Sequence, residues 1–208
     1  LVDSYGLGLT SLSKQVFADI CGKRLDTFGI FNMPSMKQFR KSSSPSFIDD
    51  EGRLQTSYIA LGGDPESTPA FNYSLAEGDG ISCVGYFTPY VIVNDNGRPR
   101  EIPPAAWVAT TFLRKHNSAI TSVTPWTIAA GITDGQVTGI AGLEYTFNGI
   151  DIENLNGMSV NPIISKRNRG RVIETENTAQ TLRTSALSFI HVREVLIEIE
   201  RDLANNLL

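Results

Sequence analysis

Short apolar runs alternate along the chain with segments in which apolar residues recur three or four positions apart. The helical spacing occurs first within Leu9–Leu25, where it predicts an amphipathic helix. The apolar run Thr27–Met33 follows and is typical of a strand buried on both faces, as in a parallel sheet. A second run, Ile81–Val93, contains Pro89, which predicts a bend, a bulge or an edge position in that strand.

The segment after the second run has the features of a turn followed by a helix. Asn94–Gly97 has the sequence NDNG, which favours a tight turn. Pro103 and Pro104 predict the start of a helix over Pro103–Lys115, because proline at the first helical position gives up no needed hydrogen bond. The sequence of Gly149–Asn156 predicts a further short helix.

The C-terminal part of the chain predicts a hairpin followed by a long helix. Val160–Ser165 and Val172–Thr178 are the predicted strands, Lys166–Arg171 is the turn, and the helix is predicted to begin at about Leu182. Because an isolated hairpin is marginal in water, we expect the helix to pack on it and one edge of the hairpin to stay unpaired. The helix residues expected to be buried are Phe189, Val192, Leu196 and Ile199. The charged residues expected on its opposite face are Arg193, Glu194, Glu198 and Arg201.

Together these elements predict an α/β fold, with a mixed or mainly parallel sheet flanked by helices over residues 1–157. Thr27–Met33 and Ile81–Val93 are its expected inner strands. The start of a smaller α+β lobe, made of the hairpin and the long helix, is expected over residues 158–208. Met36–Gly80 is rich in Ser, Gly, Pro and Asp and is too long for an ordinary loop, so we expect a polar excursion from the core there. The chain begins without Met and ends in an uncapped helical pattern, so we expect it to be an internal excerpt of a longer protein.

Composition narrows the classes of function. The formal net charge is −4 and the pI is about 5.2, so the charge balance does not indicate a nucleic-acid or anionic-membrane partner. No apolar run approaches the ~20 residues that span a bilayer. Cys21 and Cys83 lie in apolar segments and are interpreted as buried thiols, with a disulfide between them as the alternative.

Few residues of the sequence are arranged for catalysis. Its histidines, His116 and His191, have no second histidine, cysteine or acid at metal-ligand spacing. The chain has no G-x-S-x-G nucleophile elbow and no C-x-x-C pair. Gly6–Ser11 lacks the third glycine of a dinucleotide loop, and the acidic triplet Asp49–Glu51 does not match a calcium loop. We therefore predict no catalytic residues, no cofactor and no metal.

The predicted hairpin turn carries an unusual density of positive charge. Its cations are Lys166, Arg167, Arg169 and Arg171. Two interpretations are open: a solvated turn, or a patch that docks on an acidic surface of a partner, since such charges orient partners more than they add affinity.

The order of segments resembles the tail sheath proteins of contractile phages and related contractile injection systems. The resemblance lies in an aromatic-proline strand, GYFTPYVIV, a proline pair opening a small-residue helix, IPPAAWVA, and a Pro/Gly-rich stretch, VTPWTIAAGITDGQVTGIAGLE. It continues through DIENLNGMSVNPI to the final helix, SFIHVREVLIEIE, and RLDTFGIFNMP resembles the family's approach to a core strand. The match covers nearly the whole chain apart from residues 36–80. RGRVIETENTAQT departs from the family, because it lacks the second glycine expected before the last helix.

This resemblance implies a core related in fold to subtilisin but without its triad, followed by the start of a C-terminal domain. It implies a structural protein of the virion tail, assembled in the bacterial host cytoplasm. Copies would form a helical sheath around an inner tail tube, contact baseplate proteins, and shorten to drive the tube through the host envelope. A free hairpin edge would accept a strand from a neighbouring subunit. No enzymatic activity, nucleic-acid binding or membrane insertion is implied. The candidate subunit or tube interface residues are Lys166, Arg167, Arg169, Arg171, Arg193, Glu194, Glu198 and Arg201.

Two other classes of function stay open at the level of the sequence. One is an α/β enzyme whose catalytic residues lie outside the excerpt, which a deep pocket with clustered, pKa-shifted acids would favour. The other is a static shell or adhesion module, which a sheet without unpaired edges would favour.

Overall fold

The computed structural model describes residues 20, 23, 24, 27–33, 35, 82–116, 127–157, 159–180 and 185–207. Apart from residues 20, 23 and 24, the predicted helix Leu9–Leu25 lies outside the described residues, and so does the predicted excursion Met36–Gly80.

Short strands and helices alternate through the described residues, as the sequence predicts. The strands are β1 (Gly29–Asn32), β2 (Val84–Thr88), β3 (Val91–Asp95), β4 (Arg98–Ile102), β5 (Gln136–Val137), β6 (Gly142–Leu143), β7 (Val160–Lys166) and β8 (Gly170–Ile173). The helices are α1 (Ala105–His116), α2 (Gly131–Asp134), α3 (Gly149–Gly157) and α4 (Ile190–Leu207), with a 3₁₀ turn at Ala186–Ser188.

A curled mixed sheet forms the centre of the described fold, in the order β1-β2-β7-β8-β5. The β1–β2 and β2–β7 pairs are parallel, and the β7–β8 and β8–β5 pairs are antiparallel. The predicted α/β class with a mixed sheet is therefore confirmed. Every residue of β1 and β2 is buried, as expected for strands covered on both faces. Among the described residues, however, β1 is the outermost strand, where an inner one was expected.

The predicted strand Ile81–Val93 is divided between two sheets at Pro89. The part before this proline is β2, and the part after it is β3, the middle strand of a three-stranded antiparallel sheet ordered β4-β3-β6. Asn96 and Gly97 form the tight turn between β3 and β4 with φ of 51° and 81°, the left-handed conformation that an Asn-Gly pair accepts. The predictions of a bend at Pro89 and of a tight turn at NDNG are both confirmed.

Helix α1 begins directly after the proline pair, as predicted. The N–H groups of Trp107 and Val108 both donate to the carbonyl of Pro104, and the N–H of Ala105 donates to Oδ1 of Asn32 at 2.7 Å. Asn32 is fully buried at the end of β1, so a strand side chain caps the helix from inside the core. This bond fixes the position of α1 against the mixed sheet.

The hydrophobic core lies between the mixed sheet and α1. Its buried members include Phe87, Val91, Val108, Phe112, Ile163, Ile173 and Ile190. The rings of Phe87 and Phe112 meet edge to face with centroids 6.3 Å apart. The side chain of Cys83 is fully buried, as its apolar surroundings predicted.

The expectation that the C-terminal hairpin would have a free edge is wrong. Strand β7 pairs with β2 on one side of the hairpin, and β8 pairs with β5 on the other. The two-residue strand β5 lies in a Gly-rich stretch without strand periodicity, which is why the pairing was missed. The division at residues 157 and 158 stays a prediction, although the pairs β2–β7 and β5–β8 cross it within one sheet.

The last helix differs from its prediction in both start and orientation. Helix α4 begins at Ile190 rather than near Leu182. Its buried residues are Ile190 and Arg193, whereas Phe189 and Ile199 are 45% and 49% exposed. Gly85 of β2 helps to seat it, because a Cβ there would lie only 3.1 Å from Cδ1 of Ile190.

Candidate functional site: an ionic cluster beside a cavity

The segment after β8 is held in place by a buried asparagine of β7. Asn161 accepts the N–H of Asn177 at 2.6 Å, and its amide donates to the carbonyls of Tyr86 and Asn177 at 3.1 and 2.8 Å. These bonds satisfy a fully buried amide and tie the segment to β2 and β7. Glu176, the residue before Asn177, is thereby directed into the interior, where it is 5% exposed.

Glu176 belongs to a cluster of ionisable groups from α1, α4 and this segment. Nζ of Lys115 lies 2.5 Å from Oε2 of Glu194 and 3.9 Å from Oε1 of Glu176, and its side chain is 2% exposed. Nε2 of His116 lies 3.1 Å from Oε1 of Glu194. Nδ1 of His191 lies 4.0 Å from Oε2 of Glu176. The cluster therefore joins the end of α1 to the start of α4.

Burial shifts the pKa values of two members of this cluster, Glu176 and His191. It raises the pKa of Glu176 to about 8, an effect that Lys115 opposes and Glu194 reinforces. The Glu176 carboxylate also accepts the N–H of Ala129 at 2.7 Å, which favours its charged form but does not outweigh desolvation. Burial lowers the pKa of His191, and the charge of Lys115 acts in the same direction. Near neutral pH, Glu176 and His191 are both mostly uncharged.

A cavity of about 490 Å³ opens beside the cluster. Its lining combines exposed apolar groups with polar and acidic ones: Ile128, Ala130, Asn156, Glu174, Thr175, Glu176, Asn177, Phe189 and His191. Oε1 of Glu176 and Nδ1 of His191 are buried and make no hydrogen bond within the described structure. The volume is in the range of ~300–1,000 Å³ typical of binding pockets, so the cavity is the strongest candidate site in the described residues.

The basic residues of the hairpin turn separate into two pairs. Lys166 forms an ion pair with Glu174 at 2.9 Å, and Arg171 donates to the carbonyls of Ile140 and Ala141. Arg167 and Arg169 are exposed at the tip, and their side chains have no hydrogen-bond or ion-pair partner among the described residues. Only this second pair is available to a partner without breaking a contact.

The predicted charged face of α4 is also divided. Arg193 is 3% exposed and points inward, with Nη2 3.8 Å from Oε2 of Glu200, and Glu194 belongs to the ionic cluster. Placing these two residues on the outer face was therefore wrong: Arg193 is itself buried beside the half-buried Glu200, and Glu194 pairs with the buried Lys115. Arg201 is exposed as predicted, Glu198 is half-buried, and the two side chains pair with each other at 3.1 Å.

Sequence reasoning missed the central residues of the site, Lys115 and Glu176. Lys115 is a polar residue at the end of an amphipathic helix, and Glu176 lies in a segment predicted as a strand. Their partners are distant in sequence, and no local pattern marks either as buried. The alternation of VIETENT, which directs Glu174 and Glu176 to one side, is the only signal that points towards them.

Among the described residues, no group of three or more His, Cys, Asp or Glu side chains is arranged to hold a metal ion. In the same part of the chain, no helix has the length and apolar character needed to cross a bilayer.

The described fold is similar to that of chains in solved structures of contractile injection systems. The helical sheath of the anti-feeding prophage in its contracted state superposes with a TM-score of 0.57 and 17% identity, over 94% of this chain and 42% of that one. The contracted PVC sheath complex of an extracellular contractile injection system gives a TM-score of 0.57 and 13% identity, over 94% of this chain and 44% of that one.

A chain of the anti-feeding prophage baseplate is similar as well, with a TM-score of 0.56 and 16% identity over 94% of this chain. The chain spans 42–44% of the length of these structures. No protein-family model matches the sequence, and no curated protein is significantly similar to it. The similarity is therefore one of fold, at an identity too low to transfer residue roles.

Proposed function

We propose that this chain is part of the sheath subunit of a contractile tail or injection system. The observation that carries the proposal is the fold shared with two contracted sheaths over 94% of the chain. The resemblance of ordered sequence segments supports it independently, because it rests on motifs rather than on coordinates. In this role, copies of the protein polymerise as a helix around an inner tube and shorten to drive the tube into a target cell.

The protein acts in this proposal as a mechanical part and not as an enzyme. Its expected partners are other copies of itself, the inner tube protein and baseplate proteins, and its location is the tail of the particle, assembled in the bacterial cytoplasm. Glu176 and His191, whose pKa values burial shifts, lie beside the Lys115–Glu194 ion pair that joins α1 to α4, which supports a structural role for them. A core related to subtilisin and a separate domain beginning at residue 158 remain part of the proposal.

The candidate interface residues are narrowed by their surroundings. The exposed residues Arg167, Arg169 and Arg201, together with the half-buried Glu198, are proposed to contact neighbouring subunits or the tube. Exposed charge pairs contribute only about 0–1 kcal/mol each. Contacts of this strength can be exchanged when subunits rearrange, which a contracting lattice requires.

The test is self-assembly of the full-length protein. Sheath subunits are expected to form hollow tubes visible by negative-stain electron microscopy after expression without the inner tube. A full-length protein that stays monomeric across a wide range of salt and protein concentration, and that co-sediments with no tube protein, would contradict the proposal. Closed shells of fixed size would favour a static coat instead.

A further inference from the structure

The cavity beside the ionic cluster has unsatisfied groups that select the chemistry of a guest. Oε1 of Glu176 makes no hydrogen bond, and Lys115 approaches it only to 3.9 Å. The side chain of Glu176 is 2% exposed, so water does not solvate it freely. Nδ1 of His191 is also buried without a hydrogen bond. Glu176 is mostly protonated in the free protein, but a guest cation beside it favours the charged form of the carboxyl group. The ionised carboxylate and the unprotonated imidazole nitrogen are then both acceptors, so a cationic guest that supplies only donors fits both.

A guanidinium group meets these requirements better than an ammonium group. It carries five N–H donors in a planar fork and no acceptor. The ring of Phe189, 45% exposed at the cavity, offers a flat surface on which a guanidinium can stack. Ile128 and Ala130 provide apolar contacts for the methylene stem of an arginine. Glu174, held on one side by Lys166, adds a second carboxylate to the lining.

Unpartnered arginines occur on the same protein at the tip of the β7–β8 hairpin. Arg167 and Arg169 flank Asn168, which has φ of 62°, in an exposed tight turn that projects both side chains. They do not line their own cavity. Strand β8 separates the tip from Glu174 by about 13 Å at ~3.3 Å per residue, so the tip and the cavity are distinct surfaces of one molecule.

We propose that the arginine tip of one copy inserts into the acidic cavity of the next copy, with Arg167 or Arg169 contacting Glu174 and Glu176. This inference rests on the proposed function, since it assigns one contact within the subunit lattice. Because the tip and the cavity are distinct surfaces of one copy, tip-in-cavity docking is a head-to-tail contact, which propagates as an open helix unless its rotation closes a ring. The occupant is a second copy of this chain, because the matching charge is present on the chain itself.

Cross-linking between full-length copies tests the contact directly. One tagged copy carries Asn168→Cys, which keeps both tip arginines, and a second tagged copy carries Ile128→Cys, which keeps both cavity glutamates. Both are made in a Cys21→Ser, Cys83→Ala background and joined with a short bismaleimide. The matched control places the cysteine at Arg98, an exposed arginine beside the other hairpin turn. We expect cross-linking between the two tags for the 168–128 pair and not for the 98–128 pair.

The chemistry is tested by changing one side at a time. The tip copy is changed by the double substitution Arg167→Ala, Arg169→Ala, and the cavity copy by Glu176→Gln. Each change should lower the cross-linking yield by roughly tenfold, the loss expected when charge-assisted hydrogen bonds are removed. Arg167→Lys with Arg169→Lys should lower it as well, since lysine lacks the planar fork. Circular dichroism melts of each variant show that the fold is retained.

Several outcomes would overturn the inference. Equal cross-linking for the 168 and 98 positions, or an unchanged yield with the alanine tip or with Glu176→Gln, excludes tip-in-cavity docking. A yield that free arginine suppresses but the alanine tip does not would assign the cavity to a small guanidinium ligand instead. Tubes without the 168–128 cross-link would refute the contact and leave the sheath function standing. A specific cross-link without tubes would support the contact and contradict the sheath function.

Discussion

Helices α1 and α4 meet at the ionic cluster, yet they are attached to the protein by different forces. Helix α1 buries Ala105, Val108 and Phe112 against the sheets and is capped by Asn32. Helix α4 buries Ile190 and Arg193, and its next apolar residues are only half-buried. From Ile199 onward its apolar residues are half exposed or more, so charged groups make a larger share of its contacts. Apolar packing involves no charges that protonation or salt can change. A buried charge pair does, and it contributes little net stability because removing its charges from water is costly. The attachment of α4 is therefore the more easily altered of the two.

The largest expected effect comes from truncating the core side of α1. Phe112→Ala removes a ring that packs against Phe87 and should lower the free energy of unfolding by about 3–5 kcal/mol. Ile199→Ala on α4 is the matched control and should change it by less than about 0.5 kcal/mol, because half of that side chain is already exposed. Urea unfolding measures both. Similar losses for the two variants would show that α4 is packed as firmly as α1.

The next effect separates charge from apolar packing. Lys115→Met leaves the Glu194 carboxylate, whose side chain is 11% exposed, without its lysine partner and should lower the free energy of unfolding by about 3 kcal/mol. The damage should concentrate in α4, so its amides should exchange with deuterium faster while those of β2 and β7 stay protected. A uniform rise in exchange across the protein would mean that the cluster stabilises the whole fold and not the helix contact.

The protonation of Glu176 gives a dependence on pH. Its pKa is about 8 in the fold and 4.5 ordinarily, so the folded state holds a proton that the unfolded state has lost between those values. Stability should therefore fall as pH rises from about 5 to 8, by on the order of a few kcal/mol, and level off above the folded pKa. Lys115, Glu194 and His191 face this carboxyl group and modulate the midpoint.

Glu176→Gln is the variant that isolates this group. It should flatten the fall in stability between pH 5 and 8, measured as the shift of the urea midpoint with pH. The variant should also match or exceed the wild type in stability at pH 8, because the amide carries no buried charge. An unchanged pH slope would assign the titration to another member of the cluster.

The smallest effect is expected at the exposed end of α4. Arg201→Ala breaks an exposed pair with Glu198 and should change the free energy of unfolding by no more than about 0.5 kcal/mol. Glu194→Ala, about two turns earlier, removes the partner of Lys115 and should cost several times more. Equal costs at the two positions, from thermal or urea melts, would remove the distinction between buried and exposed charges on this helix.

Local chemistry made part of this fold predictable. The Asn96–Gly97 turn and the proline pair before α1 are specified by residues adjacent in sequence, because they depend on φ preferences and missing N–H groups. The short helix α3 and the two strands of the C-terminal hairpin followed from the same kind of signal.

The orientation of α4 and the pairing of the hairpin edges could not be predicted in this way. The apolar stripe predicted that Phe189 and Ile199 face inward, but Arg193 is buried instead, beside Glu200 of the same helix. Glu194 pairs with Lys115 of α1, a partner that is distant in sequence. Strand β5 is only two residues long, which is too short to show the alternation of apolar and polar residues that predicts a strand. The residues of the candidate site could not be predicted for the same reason, because only the tertiary fold brings Lys115 and Glu176 together.

The division of Ile81–Val93 between two sheets has a mechanical consequence. Only Pro89 and Tyr90 separate β2 from β3, and the N–H of Glu144 donates to the carbonyl of Tyr90 at 2.9 Å, so the junction is short and braced. Tension applied to the β3–β4 hairpin would pass through covalent bonds into β2, which is paired along both sides. A pull directed along β2 loads its hydrogen bonds to β1 and β7 in shear, so that many of them must break together. The two sheets should therefore move as one unit rather than separate at the junction.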